Sequence, residues 1–140
     1  MIVLDTNVLS ELMRPAPDAR VVDWLDRQDA RSVTISAITV AEILYGIERL
    51  PDGKRKRGFA AMVAAMFEED FSGRILSFDS EAAIHYAEQV AASESAGRQV
   101  HMADAQMAAI CIQHGAVLAT RNLKDFEMLT VETINPWEMG

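Results

Sequence analysis

Three acidic residues in this sequence stand where acids are costly. Asp5 follows directly on the apolar run Ile2-Val3-Leu4. Glu42 is the lone acid between Val33 and Ile47, in Ser36-Ala37-Ile38-Thr39-Val40-Ala41-Glu42-Ile43-Leu44-Tyr45-Gly46. Asp104 opens the alanine-rich run Asp104-Ala105-Gln106-Met107-Ala108-Ala109-Ile110. A carboxylate at the edge of a buried element costs free energy unless it is hydrogen-bonded or paired. Each acid taken alone has an ordinary explanation. Asp5 or Thr6 can cap the segment that follows, Thr39-x-x-Glu42 is a capping-box pattern, and Asp104 suits the first turn of a helix. Brought together, the three would repel one another and take up protons. A hard divalent cation removes that penalty, and oxygen-only donors are what Mg²⁺ or Mn²⁺ accepts. Thr6, Thr120 and Asn122 are the neutral polar groups next to these acids and at the end of a later apolar run.

Positioning the acids requires a framework, and the apolar spacing supplies one. Strands are predicted at 2–4, 32–36, 75–78, 117–119 and 131–134. Helices are predicted at 6–13, 21–27, 39–50, 54–70, 80–95 and 103–114. Pro15 and Pro17 stop the first helix, Pro51-Asp52-Gly53 the third, and Gly115 closes the last. The short strands are apolar throughout, as in a parallel sheet covered on both faces. The alternation gives an α/β sandwich, and ligands in such sheets sit beyond the strands' carboxyl ends, where strand order reverses. Asp5, Glu42, Asp104 and the Ala119-Thr120-Arg121-Asn122 segment all fall at such positions. In that segment Thr120 and Asn122 are expected to face the crevice, with Arg121 or Lys124 able to meet phosphate.

At 140 residues the chain fits one domain, and half of its residues are apolar, enough for a real core. No apolar run is long enough to span a membrane, no leader is expected at the start, and a lone cysteine, Cys111, suits a reducing cytoplasm. The formal net charge is −8. That counts against a simple nucleic-acid-binding module, whose affinity rests on phosphate contacts. It does not count against carboxylates gathered around cations, and it would suit a basic protein partner. Zinc-spaced His/Cys clusters, a P-loop, a dinucleotide-binding glycine turn and a nucleophile elbow are absent from the sequence.

The ordered set of motifs resembles the PIN-domain family, and within it the VapC/FitB-like toxins of toxin–antitoxin systems. The matching pieces are Ile2-Val3-Leu4-Asp5-Thr6-Asn7-Val8-Leu9-Ser10-Glu11, the Ser36–Ile47 and Asp104–Ile110 segments, Leu118-Ala119-Thr120-Arg121-Asn122-Leu123-Lys124-Asp125-Phe126 and Ile134-Asn135-Pro136-Trp137. The resemblance implies a three-layer α/β/α sandwich on a mostly parallel five-stranded sheet of order 3-2-1-4-5. It implies a Mg²⁺- or Mn²⁺-dependent endoribonuclease leaving 5′-phosphate and 3′-hydroxyl ends. Asp5, Glu42 and Asp104 match the family's metal-binding acids, with Asp5 and Asp104 as direct ligands and Glu42 ligating or orienting water. Thr6 and Thr120 would hydrogen-bond carboxylates. Asn122 stands where the family often has a fourth acid, which removes a charge, and Asp125 is the weaker substitute. The implied partners are RNA, an antitoxin whose basic residue enters the acidic crevice, and a second copy of the chain or a hetero-oligomer.

Other features carry two readings. Lys54-Arg55-Lys56-Arg57 is a solvated helix start or a phosphate-guiding rim. His101 is structural or assists the acids. Met62, Met66 and Phe67 belong to the core or, with Trp24 and Met128, to a partner face. Two rival functions remain, a PIN fold that binds without cutting and a phosphotransfer domain with Asp79 as acceptor. Loss of Asp5 or Asp104 is expected to leave the fold intact or steadier, because repulsion is relieved.

Overall fold

The structure is a computed structural model and describes residues 1–139. Five short strands form the sheet: β1 (Ile2–Leu4), β2 (Val33–Ser36), β3 (Ile75–Leu76), β4 (Val117–Ala119) and β5 (Thr133–Ile134). Six α-helices connect them: α1 (Thr6–Leu12), α2 (Ala19–Asp26), α3 (Ala37–Glu48), α4 (Lys54–Glu69), α5 (Ser80–Ser95) and α6 (Met102–His114). Short 3-10 turns at Ala30–Ser32, Leu123–Phe126 and Pro136–Glu138 complete the chain. All strand pairs are parallel and their order is β3-β2-β1-β4-β5. Strand order reverses between β1 and β4, where Leu4 pairs with Ala119.

Alternation along the strands divides the core into two layers. Leu4, Val33, Ile35 and Ala119 face a cluster that includes Val8, Val21, Trp24 and Val63 from α1, α2 and α4. Val3 and Leu118 face the other way, onto Met107, Ala108 and Cys111 of α6 and onto Phe126. α6 is enclosed because α5 covers its far side, with Ala82 against Ala109 and Ile110. The alanines of α6 let sheet and helix approach closely while keeping high helix propensity. No helix among the described residues is long and apolar enough to cross a membrane.

Local chemistry explains the boundaries. β3 and β5 are two-residue strands at the sheet edges, shorter than the apolar runs that contain them. α3 starts two residues earlier than its spacing predicts, because Ser36 caps it and its hydroxyl accepts the Thr39 N–H. The capping-box reading of Thr39 and Glu42 is thereby corrected: Thr39 is buried inside the helix and Glu42 is free to point elsewhere. For Trp24 the structure decides between the two readings, since it is 2% exposed and belongs to the core rather than to a partner face. Met62 goes the opposite way, 46% exposed while Val63 beside it is buried.

α6 ends on Gly115 with φ +61°. The Ala116 N–H donates to the Cys111 carbonyl and the Gly115 N–H to that of Ile112, which satisfies the last carbonyls of the helix. A Cβ at Gly115 would meet no neighbouring atom, so only backbone strain opposes a side chain there. Gly115→Ala should therefore lower unfolding stability by about 1 kcal/mol. Urea denaturation should read this as a lower midpoint with an unchanged slope.

Candidate functional site

β1 delivers Asp5 to the point where strand order reverses. The Asp5 N–H donates to the Ala119 carbonyl at 2.8 Å, extending the β1–β4 ladder by one bond. Asp5 is 6% exposed, and its carboxylate is held by three groups. Oδ1 accepts the Thr6 N–H at 2.7 Å, which also starts α1. Oδ2 accepts the Thr120 hydroxyl at 2.7 Å and the Asn7 side-chain amide at 3.1 Å. Burial raises the carboxyl's pKa, the Thr120, Thr6 and Asn7 bonds pull it back, and the charge of Glu42 raises it further.

Glu42 is exposed on the second turn of α3, and its Oε1 accepts the Thr6 hydroxyl at 2.5 Å. The same hydroxyl lies 3.0 Å from that of buried Thr39. Thr6 thus joins α1 to α3 and keeps Glu42 on the Asp5 side of its helix. Asp104 sits half-buried in the first turn of α6, where the helix dipole favours an acid. Its pKa is nevertheless pushed up to about 6, first by burial, then by the charges of Asp5 and Asp125, with His101 opposing and Glu42 adding. Asp5, Glu42 and Asp104 therefore stand in one another's field, carried there by β1, α3 and α6.

As placed, no group of three His, Cys, Asp or Glu side chains among the described residues closes around a single point. Glu42 is turned to Thr6, and Asp5 is bound by its three donors. Magnesium is commonly held by one or two carboxylates and several waters, so a closed cage is not required of a site for it. The donor set is all oxygen, and the raised Asp104 carboxyl is charge that a cation would answer. The chemistry of these residues fits a hard divalent ion.

Thr120, fully buried, accepts the Asn122 N–H at 3.1 Å while giving its own proton to Asp5. Asn122 is tied to the site through that backbone bond, and its exposed side chain has no hydrogen bond among the described residues. Asp125 supplies the further negative charge felt by Asp104. Asp79 lies at the sheet edge after β3. Its carboxylate caps α5 through the Ala82 N–H and accepts the Gln113 amide, bonds that hold its pKa down. It is occupied and distant, which disposes of the phosphoacceptor reading. Cys111 is buried, its thiol pushed up to about 12 mainly by that burial, so it is unreactive.

A cavity of about 390 Å³ opens beside Glu42 and Thr6, with Ile43, Ile47, Leu50 and Phe59 along it and Arg14 and Arg55 at its rim. Of the three acids, Glu42 lines this mostly apolar groove, with Thr6 beside it.

Comparison with known proteins gives this arrangement a family. The model of the PIN domain matches residues 2–129. The chain belongs to the PIN domain family. It is 41% identical over 138 residues to the VapC ribonuclease Y4jK of Sinorhizobium fredii, covering 99% of each chain. It is 41% identical over 137 residues to toxin FitB of Neisseria gonorrhoeae, covering 98% of this chain and 99% of that one. The crystal structure of FitAcB from the same organism superposes with a TM-score of 0.88 at 40% identity, over 99% of this chain and all of that one. The PIN fold with sheet order 3-2-1-4-5 and the resemblance read from the motifs both hold.

Within this PIN site, Asn7 is the residue that charge-based reading passed over. Its amide nitrogen reaches Asp5 and, at 3.3 Å, Thr120, while its oxygen accepts the Arg121 N–H at 3.1 Å. It therefore clamps α1 to the segment after β4. The signal was present in Asp5-Thr6-Asn7, where an amide follows an acid by two positions.

The raised Asp104 carboxyl sets a pH dependence. In the absence of divalent ions the folded state holds a proton on Asp104 up to about pH 6, whereas the unfolded chain releases it near 3.8. The folded state binds more protons across that window, so stability falls as pH rises from about 4 to 6 and the deficit persists above it. Asp104→Asn should flatten this slope and raise the metal-free melting temperature at pH 7. Thermal melts in EDTA across pH 4–8 would read both effects. Asp5→Ala differs from the sequence expectation, because it strips Thr120, Asn7 and the Thr6 N–H of their acceptor and should cost stability.

Proposed function

We propose that this protein is a divalent-metal-dependent endoribonuclease acting as the toxin of a toxin–antitoxin pair. One observation supports the reading: three acids from separate elements stand in one another's field at the sheet's switch point with no Lys or Arg paired to them, in a chain alike end to end with a VapC ribonuclease. Mg²⁺ or Mn²⁺ would be held by Asp5 and Asp104, with Glu42 bound directly or through water. When bound, the ion supplies positive charge against a phosphoryl oxygen and lowers the pKa of a water.

The chain's own residues do the rest. Thr120, Asn7 and the Thr6 N–H fix the orientation of the Asp5 carboxylate. Thr6 holds one oxygen of Glu42, leaving the other to accept a proton from the attacking water and orient it in line with the leaving 3′ oxygen. The water's oxygen then ends on the 5′-phosphate and the proton goes to the leaving 3′-hydroxyl. Asn122 is placed by its backbone to meet water or substrate with its side chain.

The same geometry accommodates an inhibitor. An apolar antitoxin segment fits the groove of Ile43, Ile47, Leu50 and Phe59, and a basic side chain at its end reaches Glu42 and its neighbours. The relative named as a toxin and the cytoplasm suggested by a reduced cysteine are consistent with this partner. A homodimer or hetero-oligomer completes the proposal.

The test is to incubate purified protein with a mixed RNA pool, with Mg²⁺, Mn²⁺ or EDTA, and to map the ends. Cleavage should need the metal and leave 5′-phosphates. Asp104→Asn and Asp5→Asn should each lose at least about a hundredfold in rate, since even residues behind metal ligands commonly account for 10–100-fold. Cleavage in EDTA, or an Asp104→Asn variant as active as wild type, overturns the mechanism. Failure of Mg²⁺ or Mn²⁺ to raise the wild-type melting temperature favours a PIN fold that only binds.

A further inference from the structure

An acidic protein that handles RNA must concentrate its cations where phosphates pass. The chain has 13 Lys and Arg against 21 Asp and Glu. Most of those cations are occupied. Arg20 pairs with Asp18 at 2.8 Å, Lys56 with Asp52 at 3.4 Å and Arg98 with Glu127 at 2.8 Å. Arg74 is spent on backbone carbonyls, and Arg121 lies over the Trp137 ring at 4.8 Å. Lys124 shares with Lys54, Arg55 and Arg57 of α4 the lack of any ion pair or side-chain hydrogen bond among the described residues, and it alone of these four lies on the 3-10 turn after β4, where it is exposed.

Lys124 lines a polar hollow of about 140 Å³ together with Arg98, Gln99, His101 and Asp125. Liquid water occupies about 30 Å³ per molecule, so the hollow takes a group several waters in size. It brings the chain's segment before α6 against the turn after β4. Its location relative to the acids follows from the chain: His101, which lines the hollow, is the N-cap of α6, and Asp104 stands in the first turn of that helix. The hollow therefore lies at the start of α6, near Asp104, and shares no lining residue with the apolar groove that adjoins Glu42. Arg98 is available to it as well, because its pair with Glu127 is half-exposed at both ends and exposed pairs contribute little. Asp125 is the opposing charge in the hollow, and it faces the acids where a cation would answer it.

We infer that Lys124, with Arg98 and His101 in the same hollow, binds the RNA backbone phosphate next to the one that is cut, and so sets how the strand lies across the acids. This rests on the nuclease reading. Lys124 is a substrate-positioning residue: its charge contacts phosphate, not base, so it should strengthen binding without sequence preference.

The experiment compares wild type, Lys124→Gln, Lys124→Arg and Arg31→Gln. Arg31 lies just before β2, at the opposite end of the sheet, and serves as a remote charge control. Fluorescence anisotropy of a short single-stranded RNA in EDTA gives Kd over a range of KCl concentrations. Lys124→Gln should weaken binding several-fold and reduce the slope of log K against log salt by about 0.7, the loss of one phosphate contact. Lys124→Arg should restore the slope and Arg31→Gln should leave it unchanged. In cleavage assays with metal, Lys124→Gln should raise KM with kcat largely kept. An unchanged slope in Lys124→Gln, or an equal loss in Arg31→Gln, overturns the assignment while wild-type cleavage leaves the nuclease reading standing. Wild-type protein that neither binds nor cuts RNA overturns both.

Discussion

The structure is organised around one buried carboxylate. Asp5 ends the central strand of a parallel sheet, in a place where an unsupported charge would be heavily penalised. Its support comes from three directions: the first N–H of α1, the amide of Asn7, and the hydroxyl of Thr120 beyond β4. Each of those groups is itself fixed by something larger. β4 must lie beside β1 for Thr120 to reach, and α1 must begin immediately for Thr6 and Asn7 to turn back. Hydrogen bonds to a charged group contribute roughly 1.5–3 kcal/mol each, which is the scale needed to keep such a group buried. They do not remove the repulsion from Glu42 and Asp104, which is why burial and like charge still raise two of the three carboxyls.

This explains why the fold was more legible in the sequence than the site. The strands are short, uncharged and mostly apolar, so the α/β alternation could be read directly, and α5 and β4 fall on the predicted residues. The acids could be picked out because charge in an apolar context is conspicuous. What binds them could not. Asn7 and Thr120 are ordinary polar residues until the fold brings them within 3.3 Å of each other. The helix start at Ser36 was obscured because Thr39-x-x-Glu42 satisfies a capping pattern equally well, and only the contact between Glu42 and Thr6 across two helices decides between them. The readings of Trp24 and Met62 stayed open between core and partner face for a related reason. Helical spacing identifies a face, whereas burial depends on which neighbour covers it, here the turn around Trp137 for Trp24.

Asn122 and Asp125 show how a missing charge can be redistributed. A carboxylate at position 122 would add a fourth acid two residues beyond Thr120, whose hydroxyl accepts the residue-122 N–H. With an amide in that place, the added negative field at Asp104 comes from Asp125, on the turn that follows. The pocket keeps its total demand for a cation while the charge moves toward α6. On the proposed function, a cation would be held more firmly between Asp5 and Asp104 than on the Asn122 side.

The two openings around the acids differ in chemistry, and that difference orders the proposed activities. Beside Glu42 lies an apolar groove, beside Asp104 a polar hollow with three basic side chains. A protein segment gains from burying apolar surface and would take the first. A polyanion gains from cations and would take the second. The two share no lining residue, and the acids lie near both, Glu42 in the groove and Asp104 in the first turn after His101. A divalent ion and a guanidinium carried in by an inhibitor would answer the same repulsion, and satisfying it once removes the drive to satisfy it again. On the proposed function, inhibition then needs no blockade of the RNA path: supplying the positive charge from the protein side displaces the metal on which cleavage depends.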